Sequence, residues 1–348
     1  ILYKYLSFYE LQSELVTKGI IIIAIIFNII IILKRKFTQK QLFIALLIFM
    51  LILFMTYLSK SLDFIIVLLI AVMFYKDSIR DFFKIFFIST LFCYLLTIFL
   101  YFIGVLENHA IRRITEDGII VRNSLGFSHV NGVFKNLIPI ILSGYFLVKE
   151  ENIRKYNLFV FIISTILFMV SNSRTGYICV IIYLLFTTFK DIMKIKIVKK
   201  SIKYIFLICT ILTLIIVNFA GKSADNPINE LLSDRPVIWN YYINQADMVK
   251  IINFNSTSQH MDNTYLTYLV NYGIIIYICI FLVKYFGTKK IQDNRILLIT
   301  LILAIYGIFE NGVSYNIDFT LVIQLIYLLG NRKKEIEVGV EKQLYGQT

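Results

Sequence analysis

Long apolar stretches alternate with short polar ones along almost the whole chain of 348 residues. Eleven of them predict helices that cross a membrane, since a crossing needs about 20 mostly apolar residues. Several are shorter than that, which predicts tilted or partly sunken helices. The pattern predicts an all-α polytopic membrane protein with about eleven transmembrane helices. The segments are 19–33, 42–58, 64–75, 85–106, 133–148, 158–170, 177–189, 204–220, 264–283, 296–309 and 315–329.

The polar connections carry a charge pattern that predicts topology. Most of the 35 lysine and arginine residues fall in every second connection and in the tail after Gly330. Because cytoplasmic loops are enriched in lysine and arginine, these connections are predicted to be cytoplasmic. Residues 1–330 then form one integral membrane domain, and 331–348 form a cytoplasmic tail. The N-terminus falls outside and begins with Ile, so we expect a twelfth span upstream of it.

Composition agrees with a membrane protein and excludes several other classes. The chain is 58% hydrophobic with a mean hydropathy of +0.76. Its formal charge of +13 is explained by basic cytoplasmic loops, so we expect no nucleic-acid partner. The four cysteines lie in apolar stretches without CxxC spacing, which predicts neither disulfides nor a zinc site. The chain has no P-loop, GxGxxG or HExxH motif and no D-x-D in an outer loop, and we expect no metal and no cofactor.

The longest polar stretch, 221–263, connects the eighth and ninth spans on the predicted outer side. Within it, 233–250 is predicted to be helical, with Pro236 in the first turn, where a missing N–H costs nothing. Trp239 lies on the apolar face, which predicts a packing anchor rather than a sugar-stacking platform. Arg235 has no apolar role, and its guanidinium fork suits two phosphate oxygens.

The same stretch ends at His260, where the chain is predicted to re-enter the membrane. His260 is a candidate general base because imidazole titrates near neutral pH. A hydrogen-bonded histidine at the membrane edge is the alternative. Asp262 or Asn263 is predicted to cap the ninth span, and both are candidate substrate contacts.

The sequence SNSRTG at 171–176 joins two apolar stretches of about 13 residues each. Helices of that length reach about 20 Å, which is less than the ~30 Å hydrocarbon core, so Arg174 is predicted to lie below the outer surface. A charge there costs about 2.5–3.5 kcal/mol and needs a wet cavity, a carboxylate or an anionic ligand. Ser173 and its polar neighbours would line such a cavity. Snorkelling of Arg174 to the headgroups is the alternative.

The sequence VRNSLGFSHVN at 121–131 precedes the fifth apolar stretch. It places Arg122, His129 and Asn131 at a predicted entrance to the membrane, although an ordinary solvated loop would have the same composition. Carboxylates near the spans could pair with the arginines, and the sequence does not fix which of them does. They are Asp63, Glu310 and Asp318.

Taken in this order along the chain, these sequence motifs resemble those of the Wzy-type polysaccharide polymerases and their relatives, the O-antigen ligases. The resemblance covers roughly 85–330 and is closest to capsular or exopolysaccharide polymerases. It implies a metal-independent glycosyltransferase on the outer face of the cytoplasmic membrane, which joins oligosaccharide repeat units carried on undecaprenyl pyrophosphate. The motifs that carry it are RNSLGFSHVN at 122–131, SNSRTG at 171–176, DRPVIW at 234–239 and HMDNTYL at 260–266.

The resemblance also implies roles for individual residues. Arg174 and Arg235 would hold the pyrophosphate, and His260 would contact or activate the acceptor hydroxyl. Arg122 and His129 would lie at the lipid or sugar entrance. We expect further substrate contacts from Asn131, Ser173, Asp262 and Asn263. The expected partners are lipid-linked repeat units, membrane lipid, and a flippase and chain-length regulator of the same pathway.

Two other functions remain open from the sequence. A ligase would use the same chemistry to transfer finished glycan to a different acceptor. A flippase or transporter of lipid-linked oligosaccharide would need paired, repeat-like halves and broken helices, and the sequence indicates neither.

Overall fold

The structure is a computed structural model, and in the part that it describes the chain is predominantly helical. The described residues are 38–59, 63–115, 118–223, 226–232, 234–244, 249–253, 261–311 and 318–330, with Ile23, Ile26 and Ile30 as isolated helical positions. One sheet of two strands is present among them. The expected all-α class is confirmed.

The first half of the described chain contains six helices and the two strands. The helices are α1 (Gln39–Ser59), α2 (Asp63–Phe74), α3 (Ile79–Phe102), α4 (Gly132–Leu147), α5 (Ile153–Ser171) and α6 (Arg174–Thr188). Strands β1 (Ile111–Thr115) and β2 (Gly118–Arg122) form an antiparallel hairpin between α3 and α4. Short 3₁₀ turns, Glu150–Asn152 and Lys190–Lys194, precede α5 and follow α6.

The second half is less regular. Its helices are α7 (Lys196–Lys203), α8 (Ile205–Ala220), α9 (Pro227–Leu231), α10 (Arg235–Asn244), α11 (Thr264–Leu266), α12 (Ile274–Lys289), α13 (Asn294–Phe309) and α14 (Phe319–Leu329). A π-helical turn, Thr267–Tyr272, continues α11. Side chains of Asp293 and Asp318 cap α13 and α14 by accepting backbone N–H groups, as aspartates at helix starts commonly do.

Three of these helices are long and apolar enough to cross a membrane by length and composition. They are α1, α3, and α5 with its preceding turn, and the bent pair α7–α8 makes a fourth if it counts as one span. The apolar helices α2, α4, α6, α13 and α14 have only 10–17 residues. Apart from the first, which lies mostly outside the described residues, and the ninth, each predicted segment coincides with one helix. The described helices therefore agree with the positions of the segments without establishing eleven crossings.

The burial pattern places α13 and α14 at the centre and the longest apolar helices at the outside. Most residues of α13 and α14 are buried, 11 of 16 and 9 of 11, and none is exposed. In the apolar windows of α1, α3 and α5, only 22%, 22% and 17% of the residues are buried, and large side chains such as Phe92, Phe99 and Met169 are exposed. Soluble proteins rarely expose continuous apolar surfaces of this kind. The exterior therefore has a membrane-like character.

Helix α5 is longer than the sequence predicted. It begins at Ile153 and has 19 residues, about 28 Å, because exposed Arg154 and Lys155 form part of its first turn. Long basic side chains at a helix end can reach polar surroundings while the helix continues into an apolar region. The sequence predicted a short helix on each side of the turn that contains Arg174. Only α6, with 15 residues, is short in this sense.

The predicted ninth span is broken at Gly273, which the sequence did not indicate. Gly273 has φ 93° and ψ 172°, a conformation that is essentially restricted to glycine. Residues 249–253 run beside the break, so that Lys250 and Ile251 accept hydrogen bonds from the backbone N–H groups of Ile274 and Ile275 at 3.0 and 3.1 Å. Because Lys250 takes part in this pairing, the helix predicted for 233–250 does not continue through Lys250, and its described part is α10.

Lys284 lies in the interior of the molecule, although the sequence assigned it to a cytoplasmic loop. Its ammonium group binds Asp318 at 2.8 Å and Thr320 at 2.9 Å, and Tyr268 donates its hydroxyl to the same carboxylate at 2.9 Å. Both charged side chains are almost fully buried, at 6% and 7% exposure. The pair neutralises both charges and connects α12 to the start of α14, so Asp318 is not a partner of the arginines.

Gly176, in the SNSRTG motif, allows α6 to approach α4. A Cβ atom at Gly176 would lie 2.2 Å from Cβ of Phe134, whereas one at Gly307 of α13 would meet nothing closer than 3.3 Å. We expect Gly176→Ala to destabilise the protein by about 1–3 kcal/mol through overpacking. Gly307→Ala should stay within about 1 kcal/mol of wild type, because alanine has the higher helix propensity. Denaturant unfolding in detergent measures both, and equal stability of the two variants would contradict the close approach.

Candidate active site

A chain of polar contacts connects segments that are far apart in the sequence. Arg122 donates to the side-chain oxygen of Asn131 at 3.0 Å, and Asn131 donates to Oε1 of Glu310 at 3.0 Å. Arg235 donates to the same Glu310 oxygen at 2.9 Å and lies 3.6 Å from the Asp262 carboxylate. We call these five residues the Glu310 cluster. Four of them were candidate site residues from the sequence, and the structure brings them together.

The β-hairpin, which the sequence did not predict, positions Arg122. Arg122 is the last residue of β2 and pairs with Ile111 at the open end of the hairpin. The next residue, Asn123, donates its backbone N–H to Val170 at 3.2 Å, and Nε of Arg122 donates to the backbone oxygen of Ser171 at 3.4 Å. These bonds attach the hairpin to the end of α5, directly before the SNSRTG turn.

Asn131 connects the hairpin to Glu310 from the start of α4. Its side chain is buried, and its oxygen also lies 3.5 Å from the hydroxyl of Ser173, a long contact. Its backbone N–H is donated to Nδ1 of His129 at 3.1 Å. The residue before α6 and the residue before α4 therefore meet at one amide group.

These surroundings favour the neutral form of His129. Although part of the residue is exposed, burial lowers its pKa, and nearby Arg122 and Arg235 lower it further while Asp262 opposes them. Because Nδ1 accepts a hydrogen bond, the ring proton of the neutral imidazole lies on Nε2. At neutral pH His129 can therefore offer a neutral donor.

The Arg235 side chain is largely buried and is bonded to other groups of the protein. Its side chain is 11% exposed, and it donates to the backbone oxygen of Phe309 as well as to Glu310. It is the first residue of α10, followed by Pro236, as the sequence predicted. The predicted packing role of Trp239 agrees with its exposure of 1%. The rigid start of α10 thus fixes the direction of the guanidinium group.

Glu310 is the acceptor at the centre of the cluster. It directly follows α13, and its side chain is 4% exposed. Burial raises the pKa of Glu310, whereas Arg235 opposes that rise. The sequence named Glu310 as one of three possible partners of the arginines. A carboxylate directly after an apolar segment was the only signal, and it did not distinguish Glu310 from Asp318.

Asp262 and Asn263 behave differently although they are adjacent. The Asp262 side chain is 53% exposed and faces Arg235. Asn263 is fully buried and caps α11, because its oxygen accepts the N–H of Leu266 at 2.9 Å while its amide donates to Thr213 and Ile308. Asp262 is accessible to a ligand, whereas the observed contacts of Asn263 are those of a helix cap.

Arg174 differs from Arg235 in having an uncommitted side chain. It is the first residue of α6 and is partly exposed, and among the described residues its guanidinium group makes no ion pair or hydrogen bond. Ser173 does not cap the helix through its side chain. The first N–H groups of a helix and its dipole favour an anion. Arg174 and the start of α6 therefore provide positive potential beside the Glu310 cluster.

A cavity of about 80 Å³ lies on the inner side of the cluster. It reaches from Glu310 and Lys135 to the buried pair of Lys284 and Asp318. Its polar groups and volume suit a few water molecules.

Comparison with known proteins gives no assignment for this arrangement. No family model, no curated protein and no solved structure matches the chain. His260, the candidate base, lies outside the described residues. The arrangement of Arg122, Asn131, Arg235, Asp262 and Glu310 therefore has to be interpreted from its own chemistry.

Proposed function

We propose that the protein is a membrane-embedded glycosyltransferase that polymerises oligosaccharide repeat units carried on undecaprenyl pyrophosphate. It would act on the outer face of the cytoplasmic membrane and cross that membrane about eleven times. The product would be a capsular or extracellular polysaccharide. Support comes from the resemblance of four sequence motifs to the polysaccharide polymerases and from the contacts among the residues of those motifs.

The single observation that carries the proposal is the convergence of these motifs. Arg122 and Asn131 come from the first motif, Ser173 from the second, Arg235 from the third and Asp262 from the fourth. Hydrogen bonds or ion pairs join each of them to another member or to Glu310. The meeting of four separated polar segments at one buried carboxylate is the arrangement that we expect of a site for a polar ligand.

The charges of the site suit a pyrophosphate leaving group. In the reaction, the anomeric carbon–oxygen bond to the pyrophosphate breaks, a bond to the acceptor hydroxyl forms, and a base takes the hydroxyl proton. Negative charge develops on the leaving group, and positive groups fixed in advance stabilise that charge in the transition state. Arg174, which makes no ion pair or hydrogen bond with the described residues, is the guanidinium that we assign to the leaving group, and His260 remains the candidate base.

The structure modifies the role that we expect for Arg235. Glu310 already neutralises this side chain and Asp262 lies nearby, so Arg235 is less able than Arg174 to bind an anion directly. We assign it the task of holding the fourth motif in place through Asp262. Arg122 would have a similar task for Asn131 and the turn at Ser171.

Transport remains the less favoured alternative. The break at Gly273 is of the kind that transporters use to bind substrates and ions. Here, however, the backbone N–H groups of Ile274 and Ile275 are already bonded to Lys250 and Ile251. The break is closed by the protein's own chain, which favours a structural role.

The proposed function can be tested by analysing the lipid-linked glycans of cells that lack the protein. We expect them to accumulate single lipid-linked repeat units and to make no polymer, because the joining step is missing. A wild-type copy should restore the polymer. Accumulation of long polymer that is not attached to an acceptor would indicate a ligase instead. Repeat units trapped on the inner face of the membrane would indicate a flippase.

A further inference from the structure

Helix α7 lies at an elbow, and its direction differs from that of the apolar helix that follows it. The axes of α7 and α8 make an angle of 75° around Tyr204. Helix α8 contains no charged residue in 16 positions, which gives an apolar rod of about 24 Å. When α8 crosses a bilayer, the angle places α7 close to the membrane plane. This step rests on the membrane embedding proposed above, but not on glycosyl transfer.

Helix α7 has a basic face and an apolar face. Its sequence, KIVKKSIK, contains four lysines and no acidic residue. Ile202 is buried at 1% exposure and anchors the helix, which packs against α12 and α13. Ile197 is 76% exposed and the preceding Ile195 is 49% exposed. The helix is therefore attached to the protein on one side and carries apolar side chains on its free side.

The lysines of α7 have no protein partners among the described residues. They are Lys196, Lys199, Lys200 and Lys203, and none forms an ion pair there. The acidic Asp191, in the turn before α7, is 2.6 Å from Lys194. Four ammonium groups within two helical turns, without an acidic partner in the part of the chain that the structure describes, repel one another. A negatively charged ligand removes that repulsion.

We propose that α7 is a binding surface for the headgroups of anionic phospholipids. A soluble polyanion would satisfy the lysines but would leave Ile195 and Ile197 in water. A bilayer surface accommodates both, since apolar side chains enter the acyl boundary while lysines reach the phosphates. The rings of Tyr204 and Tyr285 pack with centroids 5.1 Å apart at the elbow, and tyrosines are enriched at this depth of a membrane.

Lipid titration of the full-length protein in detergent, followed by native mass spectrometry, tests the proposal. The probes are phosphatidylglycerol, phosphatidylcholine and glycerol 3-phosphate. We expect phosphatidylglycerol to bind at least tenfold more tightly than phosphatidylcholine. The double variant Lys196→Gln/Lys200→Gln should lose that preference, because each lysine near an anionic surface contributes about fivefold at low salt.

The control is Lys149→Gln/Lys194→Gln, which also removes two lysines. Both are exposed, at 77% and 70%, but each already has an acidic partner. We expect this variant to keep the preference for phosphatidylglycerol. The variant Ile197→Asn should weaken phosphatidylglycerol binding without changing the binding of glycerol 3-phosphate. Unchanged thermal midpoints of the variants show that they are folded.

Three results would overturn the proposal. The first is equal binding of the two phospholipids by wild type, and the second is an unchanged preference in Lys196→Gln/Lys200→Gln. The third is displacement of phosphatidylglycerol by equimolar glycerol 3-phosphate or heparin, which would identify a site for soluble anions. None of these measurements involves glycosyl transfer, so their outcome is independent of whether the protein polymerises repeat units.

Discussion

Replacing Arg174 with lysine is expected to lower the rate of polymer formation by about 10²–10³-fold, the effect of removing one fixed donor from a developing charge. Lysine keeps the positive charge but loses the planar fork that can bind two phosphate oxygens at once. Among the described residues the Arg174 side chain makes no ion pair or hydrogen bond, so the variant should fold and insert normally. Polymer yield and length in complemented cells measure the effect.

A matched control for this variant is Arg154→Lys. Arg154, like Arg174, is an arginine in the first turn of a helix, but it is more exposed and lies at the opposite end of α5 from the SNSRTG turn. We expect normal polymer from this control at equal protein levels. Polymer of normal yield and length from Arg174→Lys would remove Arg174 from the site.

Replacing Glu310 with alanine is expected to destabilise the protein by about 3–5 kcal/mol, as loss of one partner from a buried ion pair does. Among the described residues, the substitution leaves Arg235 with only the half-exposed Asp262 as an ion-pair partner, and it leaves the Asn131 amide without its Glu310 acceptor. Because two motifs are connected through this oxygen, polymer formation should be lost as well. Denaturant unfolding in detergent measures the change in stability.

Glu150→Ala is the matched control because Glu150 also accepts a hydrogen bond from an arginine, Arg295, at 2.8 Å. Its side chain is 65% exposed, so the pair should contribute at most about 1 kcal/mol. Glu310→Gln retains an acceptor for Asn131 and should be less destabilising than Glu310→Ala. Equal losses from Glu310→Ala and Glu150→Ala would show that the cluster is not held together by its buried carboxylate.

The sequence predicted helix positions well because apolar runs are a local property. Most of the predicted segments coincide with one helix each, and Pro236 predicted the start of α10. The β-hairpin was missed because its strands, IRRIT and GIIVR, are short and differ little from loop sequence. The break at Gly273 was missed because its hydrogen-bond partners, Lys250 and Ile251, are distant in the sequence.

The candidate site was predicted in part, for a related reason. Polar and charged residues stand out in an apolar chain. The sequence therefore identified four residues of the cluster, namely Arg122, Asn131, Arg235 and Asp262. Which carboxylate pairs with which cation depends on helix packing. Asp318 pairs with Lys284, whereas Glu310 pairs with Arg235. The structure thus adds which of these residues contact each other, and which side chains are already bonded to other protein groups.

Purified protein in detergent, mixed with undecaprenyl pyrophosphate-linked repeat units alone, tests the central claim most directly. Electrophoresis and mass spectrometry of the lipid-linked products follow the reaction. We predict a ladder of products that differ by one repeat unit, with release of undecaprenyl pyrophosphate and without any ion gradient, and a much weaker ladder from Arg174→Lys. Folded wild-type protein that leaves the repeat units unjoined, or an equally strong ladder from Arg174→Lys, would contradict it.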